Sequence, residues 1–163
     1  MKISPTEKYG AWTGRQISEF LQAAAMPMRL AFQRPDGLAV APLWFCFAND
    51  TLIACSLRQS LVVRSLQRNP QIAFDISTND LPYRGVRGNG TARCVDGDGP
   101  EALEAVLAKY VSQPQHPLST WLQSRAADEV AIVIHLERLS SWDFTERMAG
   151  IAPLAARAPD ALI

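Results

Sequence analysis

The spacing of apolar residues along the chain predicts strands separated by a few short helices. Apolar stripes at helical spacing predict helices over residues 17–24, 61–68, 103–110 and 117–125. Thr13, followed by Gln16 three residues later, has the form of a capping box and sets the start of the first helix. Pro27 ends that helix, because proline cannot continue the hydrogen-bond pattern.

Between the helices, runs rich in β-branched and aromatic residues are bounded by turn signals and predict strands. The predicted strands are 28–33, 38–47, 51–56, 71–77, 84–96 and 129–139. Pro42 needs an edge, a bulge or a ligand-facing position in its strand, because it cannot donate a ladder hydrogen bond. Gly85, Gly88 and Gly90 indicate bulges, or a close approach by a ligand or a second backbone.

Five or six strands with helices at the edges predict a mainly β fold of the α+β class, a small β-barrel with peripheral helices. The length of 163 residues and the 48% apolar content suit one domain with a sizeable core. We expect this domain to span residues 1–148. The Ala/Pro-rich segment 149–163 is expected to form a mobile tail.

The charge balance and the cysteines narrow the function class. Lys and Arg together number 16, as do Asp and Glu, so the basic excess of a general nucleic-acid binder is missing. Three cysteines without C-x-x-C spacing favour a reducing compartment over a disulfide framework. Residues 1–5 lack the apolar core of a secretory signal, and the longest uncharged run, 37–49, is too short to span a bilayer. We expect a cytoplasmic protein that binds neither nucleic acid nor membrane.

Metal chemistry is not expected from the histidines. His116 and His135 are the only two in the chain, and they lie far apart without a cluster of acidic or cysteine partners. The position of His135 in an apolar strand favours a core or interface role.

Two adjoining segments carry a more specific signal. Asn69-Pro70 forms a turn between a predicted helix and strand, and residues 84–90 read R-G-V-R-G-N-G. In this order they resemble the pyridoxamine 5'-phosphate oxidase-like family of FMN-binding split barrels, in which an Asn-Pro turn precedes an R-x-V-x-x-x-G strand. The resemblance covers about residues 15–145. It implies a six-stranded split β-barrel that forms a homodimer, with FMN at the subunit interface.

Residues 40–45, V-A-P-L-W-F, are similar to the family strand that lies along the flavin ring. A flavin ring needs a flat apolar wall and main-chain donors and acceptors for its polar edge. The resemblance implies cofactor contacts from Val40, Ala41, Pro42, Leu43 and Trp44. The alternative is that alternate side chains of this strand fill the barrel, which we expect of Phe45 and Phe47.

Residues 55–62 correspond to the family segment T-x-x-x-S-R-K, whose Arg and Lys hold the FMN phosphate. Ser56 and Ser60 match the two hydroxyls, but Leu61 and Val62 replace the Arg-Lys pair. One interpretation is that FMN binds weakly, or that another ligand or none binds. The other is that a different arginine supplies the cation, the candidates being Arg58, Arg64, Arg84 and Arg87. Ser60 is also suited to plain helix capping, with or without phosphate.

Two further positions follow from the resemblance. Gly85 stands where the oxidase has a glutamine that contacts flavin, so only a backbone contact is implied there. We favour a phosphate partner for Arg84 and a surface position for Arg87. Trp142 belongs to a W-D pair that is similar to one at the end of the family's last strand. It either covers one end of the neighbouring subunit's flavin or seals the barrel.

The resemblance thus implies an FMN-dependent oxidoreductase with its cofactor at a dimer interface, acting on an unknown small molecule. No side chain is identified as catalytic. Strict pyridoxamine-phosphate oxidase activity is not expected, because the Arg-Lys pair and the flavin glutamine are absent from the sequence. The alternatives are a deazaflavin-dependent reductase and a non-catalytic flavin-binding or flavin-sensing dimer.

Overall fold

A single sheet, flanked by helices, organises the computed structural model, which describes residues 7–111, 113 and 115–150. Within these residues the strands are β1 (Glu7–Gly10), β2 (Met28–Arg34), β3 (Gly37–Leu43), β4 (Cys46–Ala48), β5 (Thr51–Leu57), β6 (Gln71–Ser77), β7 (Arg84–Val95) and β8 (Glu129–Asp143). The helices are α1 (Gly14–Ala23), α2 (Leu61–Arg68), α3 (Gly99–Tyr110) and α4 (Pro117–Gln123), and a short 3-10 turn at Ala126–Asp128 leads into β8.

The strands follow the order β3-β2-β6-β7-β8-β5-β4, with β1 added parallel to β8 and every other pairing antiparallel. Strand β8 is the spine: it pairs with β7 along its length, with β5 over its first half and with β1 near its end. The predicted α+β split-barrel class is confirmed. The predicted count of six strands was low, because the four-residue β1 was not predicted and the predicted strand 38–47 is broken into β3 and β4.

The main core lies between one face of the sheet and helices α1 and α2. The α1 stripe buries Ile17 and Leu21 completely, and the predicted capping box is present, with the Thr13 amide donating to Gln16 Oε1 at 2.8 Å. Phe45 and Phe47 are buried in this core, at 0% and 7% exposure. The alternation expected of them therefore holds.

The glycines of β7 allow close approach by neighbouring strands. A Cβ at Gly85 would lie 2.6 Å from the Cβ of Ser77, and one at Gly90 would lie 2.1 Å from the carbonyl oxygen of His135. The register of β7 on β8 also shifts between Asn89 and Gly90. Close approach of a second backbone therefore accounts for both glycines, and the predicted bulge is present at Gly90.

A second, smaller apolar cluster lies outside the main core. Leu103, Val106 and Leu107 of α3 pack on Trp44, Cys46 and Cys55, with Leu122 of α4 at one side. The helix α3 begins at Gly99, four residues before its apolar stripe, with Pro100 in its first turn. This helical cover sits over the ends of β3 and β5.

Membrane-spanning helices, metal ligands, cysteines and the C-terminal segment were each the subject of an expectation from the sequence. Among the described residues no helix is long and apolar enough to cross a membrane, and no group of three or more His, Cys, Asp or Glu could hold a metal ion. All three cysteines are free thiols. The expected mobile tail, apart from Ala149 and Gly150, lies outside the described residues.

Candidate ligand-binding site

A cavity of about 370 Å³ lies where α3 and α4 cover the ends of β3 and β5. Its apolar lining includes Pro42, Leu43 and Trp44 from the β3 end and Leu103, Val106 and Leu122 from the two helices. Its polar lining consists of Cys55, Ser56 and Glu129. Small-molecule sites commonly have volumes of about 300–1,000 Å³ and mostly apolar linings with a few polar groups, so this cavity has the size and character of one.

Only part of the predicted ring wall faces this cavity. Pro42, Leu43 and Trp44 line it, whereas Val40 is 66% exposed elsewhere and Ala41 packs against the main core. The cavity lies at the end of β3, so it is lined by the last residues of the strand and by Trp44 after it, rather than by the mid-strand positions Val40 and Ala41. Pro42 is tolerated because β3 is the terminal strand of the sheet order.

Trp44 is held in place by Tyr110, a residue that the sequence did not single out. The two rings stack with their centroids 5.1 Å apart and an interplanar angle of 13°. The Tyr110 hydroxyl donates to the carbonyl of Met26 at 3.0 Å and accepts from the amide of Phe45 at 3.4 Å. The apolar side of the cavity is therefore preorganised by aromatic stacking and two hydrogen bonds.

The two predicted hydroxyls meet at the start of α2. Ser56 Oγ donates to Ser60 Oγ at 3.0 Å, and Ser60 Oγ accepts from the amide of Val63 at 3.2 Å. Ser60 is thus the N-cap of the helix. The amides of Leu61 and Val62 occupy the first turn, where an α-helix leaves N–H groups without intrahelical partners. Phosphate contact by this group remains a prediction.

The structure corrects one expectation for the side chains that replace the Arg-Lys pair. Leu61 is 44% exposed, but Val62 is only 5% exposed and belongs to the main core. The Val62 side chain therefore cannot contact a ligand, and only its backbone amide is open to that role.

Of the candidate arginines, Arg58 directly follows Leu57, a residue that lines the cavity. It forms an ion pair with Asp96 and lines a second cavity of about 230 Å³ together with Arg125 and Asp128. Leu57 lines both cavities, so they adjoin. Arg64 is exposed on α2, outside the residues that line either cavity. The sequence interpretation did not identify Arg125.

Three predicted residues lie at the other end of β8. Arg84 pairs with Asp143 and Gly85 with Trp142, whereas Leu57 pairs with Glu129 at the start of the strand. None of these three predicted residues lines the cavity near Ser56. One protomer therefore does not bring the two groups together. The exposed Arg87 guanidinium lies 5.4 Å from the centroid of the Trp142 ring.

Glu129 is a further polar residue that sequence reasoning missed. It is 7% exposed, lines the cavity, and burial raises the pKa of its carboxyl group. Burial together with the nearby Glu129 charge raises the pKa of Cys55 to about 12, so its thiol stays protonated. The acidic pair Asp128-Glu129 before a Val/Ile-rich run is the only signal in the sequence.

The chain is similar to several known proteins in fold rather than in sequence. No family model and no curated protein sequence matches it. A crystal structure of a conserved hypothetical protein from Mycobacterium tuberculosis is similar over 93% of this chain and 96% of that one, at 22% identity and a TM-score of 0.70. An F420 reductase is similar over 75% and 94%, at 24% identity and a TM-score of 0.60.

A FAD-binding protein from Mesorhizobium loti is similar over 80% of this chain and 93% of that one, at 18% identity and a TM-score of 0.59. Identities this low establish a shared fold rather than a shared activity. The strand order, the antiparallel pairing and these similarities agree. The chain therefore has the split-barrel fold of the pyridoxamine 5'-phosphate oxidase-like flavin-binding proteins.

Proposed function

We propose that the protein binds a flavin-type cofactor, FMN in particular, in the cavity between β3, β5 and α3, and acts as a flavin-dependent oxidoreductase. This proposal rests on one observation: the predicted ring wall and the predicted phosphate segment line the same cavity. Leu43 and Trp44 of the ring wall and Ser56 of the phosphate segment line the same cavity. They lie on different strands, and the fold alone brings them together.

The residues present suit the two ends of such a cofactor differently. The apolar lining and the stacked Trp44 suit a flat aromatic ring. The Ser56 and Ser60 hydroxyls and the first amides of α2 suit a phosphate, since a helix N-terminus favours anions. Because the Arg-Lys pair is missing, the Arg58 side chain is the cation best placed to add positive charge near the phosphate.

A bound flavin would supply the redox chemistry, as cofactors generally do in such enzymes. The chain's own groups bind and orient the ring: Pro42, Leu43 and Trp44 present an apolar surface, and α3 and α4 exclude water from it. The polar groups Ser56, Cys55 and Glu129 are left to fix the orientation of the ligand's polar edge.

We propose further that the protein acts as a homodimer with the cofactor near the subunit interface. Leu38 and Val40, on the terminal strand β3, are 81% and 66% exposed. An uncovered apolar strand at a sheet edge is typical of a surface that another chain covers. A second protomer is also the route by which Trp142 and Arg84 could reach a site that includes Ser56.

The F420 reductase similarity and the second cavity favour one alternative cofactor, a deazaflavin with an extended anionic tail. Arg58 and Arg125 both line the second cavity, which adjoins the first at Leu57. Two guanidinium groups beside the phosphate position would suit additional negative charge.

Absorption spectra and fluorescence titrations of the purified protein with FMN, FAD and F420 test these proposals together. We expect saturable binding of FMN, weakened in a Pro42→Glu variant, which places a carboxylate at the ring wall. Gln33→Glu is the matched control, since Gln33 is exposed on the adjoining strand outside the cavity. Preference for F420 supports the alternative cofactor, and a protein that binds none of the three would refute both proposals. NADPH oxidation by the loaded protein then tests turnover.

A further inference from the structure

Glu129 occupies an unusual place for an acidic residue. It begins β8, is 7% exposed, and lines the 370 Å³ cavity beside Cys55 and Ser56. Its main chain is fixed on two sides: it pairs with Leu57, and a Cβ added at Gly99 would lie 2.0 Å from its carbonyl oxygen. Burying a carboxyl group is costly unless it is paired or neutral, so its presence needs an explanation.

The groups around this carboxyl do little to stabilise a negative charge. The neighbouring Cys55 thiol and Arg125 favour the charged carboxylate, whereas Asp128 disfavours it. The helices contribute only apolar residues to the cavity, Leu103 and Val106 from α3 and Leu122 from α4. The guanidinium carbon of Arg125 also lies 5.0 Å from the centroid of the Trp121 ring, and Arg125 lines the neighbouring cavity. Burial is the largest influence and favours the neutral acid.

We propose that Glu129 is the specificity-determining residue of this cavity, binding in its neutral form and donating a hydrogen bond to an acceptor atom, a carbonyl oxygen or ring nitrogen, on the polar edge of the bound ring. This inference rests on the proposed function, because it assigns the orientation of the same ligand. An apolar site needs few polar groups to set orientation, and a neutral carboxylic acid can donate where a carboxylate would repel an electron-rich acceptor.

The inference predicts a direction of pH dependence. If only the neutral acid donates, affinity is greatest below the folded-state pKa and falls through that pKa to the lower affinity of the ionised form, by at most about tenfold per pH unit. Glu129→Gln keeps an N–H donor of similar shape but cannot ionise, so its affinity should lack this fall. Cys55→Ala removes the thiol that stabilises the carboxylate, so the midpoint of the fall should move to higher pH.

Fluorescence titration of FMN across pH tests the inference, with four proteins compared: the parent, Glu129→Gln, Cys55→Ala and Glu137→Gln. Glu137 is the matched control, because it lies on the same strand but is exposed and accepts a hydrogen bond from Thr91 at 2.6 Å. The ratio of parent to Glu129→Gln affinity cancels the titration of the FMN phosphate itself. Riboflavin, which has no phosphate, serves as a second probe.

We expect the ratio of parent affinity to Glu129→Gln affinity to fall with rising pH, whereas the ratio of parent to Glu137→Gln affinity should stay constant. The pH midpoint of the fall in affinity should be higher in Cys55→Ala than in the parent. Parallel pH profiles for the parent and Glu129→Gln would overturn the inference while leaving flavin binding intact. A parent protein that binds neither FMN nor riboflavin would overturn both this inference and the flavin site. Should Glu129→Gln fail to fold, by circular dichroism, the Cys55→Ala midpoint decides, and an unshifted midpoint counts against the inference.

Discussion

Ser56 donates its hydroxyl hydrogen to the hydroxyl of Ser60 at 3.0 Å, while Ser60 accepts from the Val63 amide at 3.2 Å. This chain of contacts links a residue that lines the cavity to the N-cap of α2. Ser60 therefore has a structural role that is independent of any ligand. A test of its ligand role must keep the cap.

Ser60→Asp keeps the cap and is expected to abolish FMN binding. Aspartate caps helices as well as serine does, so the melting temperature should stay close to that of the parent. A carboxylate beside a phosphate brings like charges together in a partly desolvated place. Ser60→Asn, a neutral cap of the same shape, should retain binding. Equal FMN affinity for Ser60→Asp and the parent, by fluorescence titration, would put the phosphate elsewhere.

Leu61→Arg alone is expected to tighten FMN binding. Leu61 is 44% exposed at the first turn of α2, so an added guanidinium remains solvated and can reach a phosphate at the helix start. A charge-assisted hydrogen bond contributes about 1.5–3 kcal/mol, roughly tenfold to hundredfold in affinity. Gln67→Arg adds the same charge near the far end of the helix and should change little. Unaltered affinity in Leu61→Arg would contradict the phosphate position.

Val62→Lys is expected to destabilise the protein rather than improve the site. Val62 is 5% exposed in the main core, and burying an ammonium group without a partner is costly. The free energy of unfolding should fall by several kcal/mol, on the order of the largest single-residue effects. Urea denaturation measures it, and a Val62→Lys protein as stable as the parent would contradict the core assignment.

Arg58→Ala is expected to weaken FMN binding more than Arg64→Ala or Arg84→Ala. Arg58 alone among these three lines a cavity that adjoins the candidate site. Its ion pair with Asp96 is largely exposed, and exposed pairs contribute only about 0–1 kcal/mol, so the fold should tolerate the change. Asp96→Asn frees the guanidinium and should raise FMN affinity. FMN titrations of the three single variants measure this ranking. A larger loss of FMN affinity in Arg64→Ala than in Arg58→Ala would contradict it.

The fold was largely predictable because its cues are local. The Thr13 capping box and the Ser60 cap each lie within a few residues of the helix they start, and both are present. The long strands β7 and β8 are rich enough in β-branched residues and bounded clearly enough by turns to be predicted from their own segments. The short β1 depends on pairing with the distant β8, so no local pattern reveals it. The predicted strand 38–47 is divided into β3 and β4 at Trp44 and Phe45, where the sequence has no turn residue to mark the break.

The site was only partly predictable because its composition is non-local. Pro42 and Ser56 could be singled out from their segments, but only the fold places them around one cavity. The wall formed by Leu103 and Val106 looks like any other apolar helix face in the sequence. Glu129 stands out only once its burial is known. Similarly, helix geometry rather than sequence order separates exposed Leu61 from buried Val62.

Tyr110→Phe is expected to lower stability at neutral pH and to change its dependence on alkaline pH. The variant loses the hydroxyl that donates to Met26 and accepts from Phe45, at about 1 kcal/mol for each hydrogen bond. Burial raises the Tyr110 pKa from 10.0 to about 12. Because the folded state disfavours the phenolate, this stability is present below pH 10 and is lost as pH rises towards about 12.

Chemical denaturation of the parent and Tyr110→Phe across that range measures the difference, with Tyr83→Phe as the control. Tyr83 is 43% exposed, so its change should be nearly neutral. The gap between the parent and Tyr110→Phe should narrow as pH rises. A constant gap would mean that the hydroxyl is not buried in solution.

The last prediction is that the protein is a homodimer and that β3 contributes to its interface. Light scattering at micromolar concentration should give twice the 17.9 kDa of one chain. Val40→Glu places a charge on an apolar residue that is 66% exposed, which a covered surface tolerates poorly. We expect this variant to be a folded monomer, whereas Gln67→Glu, an exposed change on α2, should remain dimeric.

If the cofactor lies at the interface, Val40→Glu should also lose FMN affinity, even though Val40 lies outside the residues that line the cavity. A monomeric mass for the parent with FMN present would refute the dimer, and a monomeric Val40→Glu variant with full affinity would place the whole flavin site within one protomer.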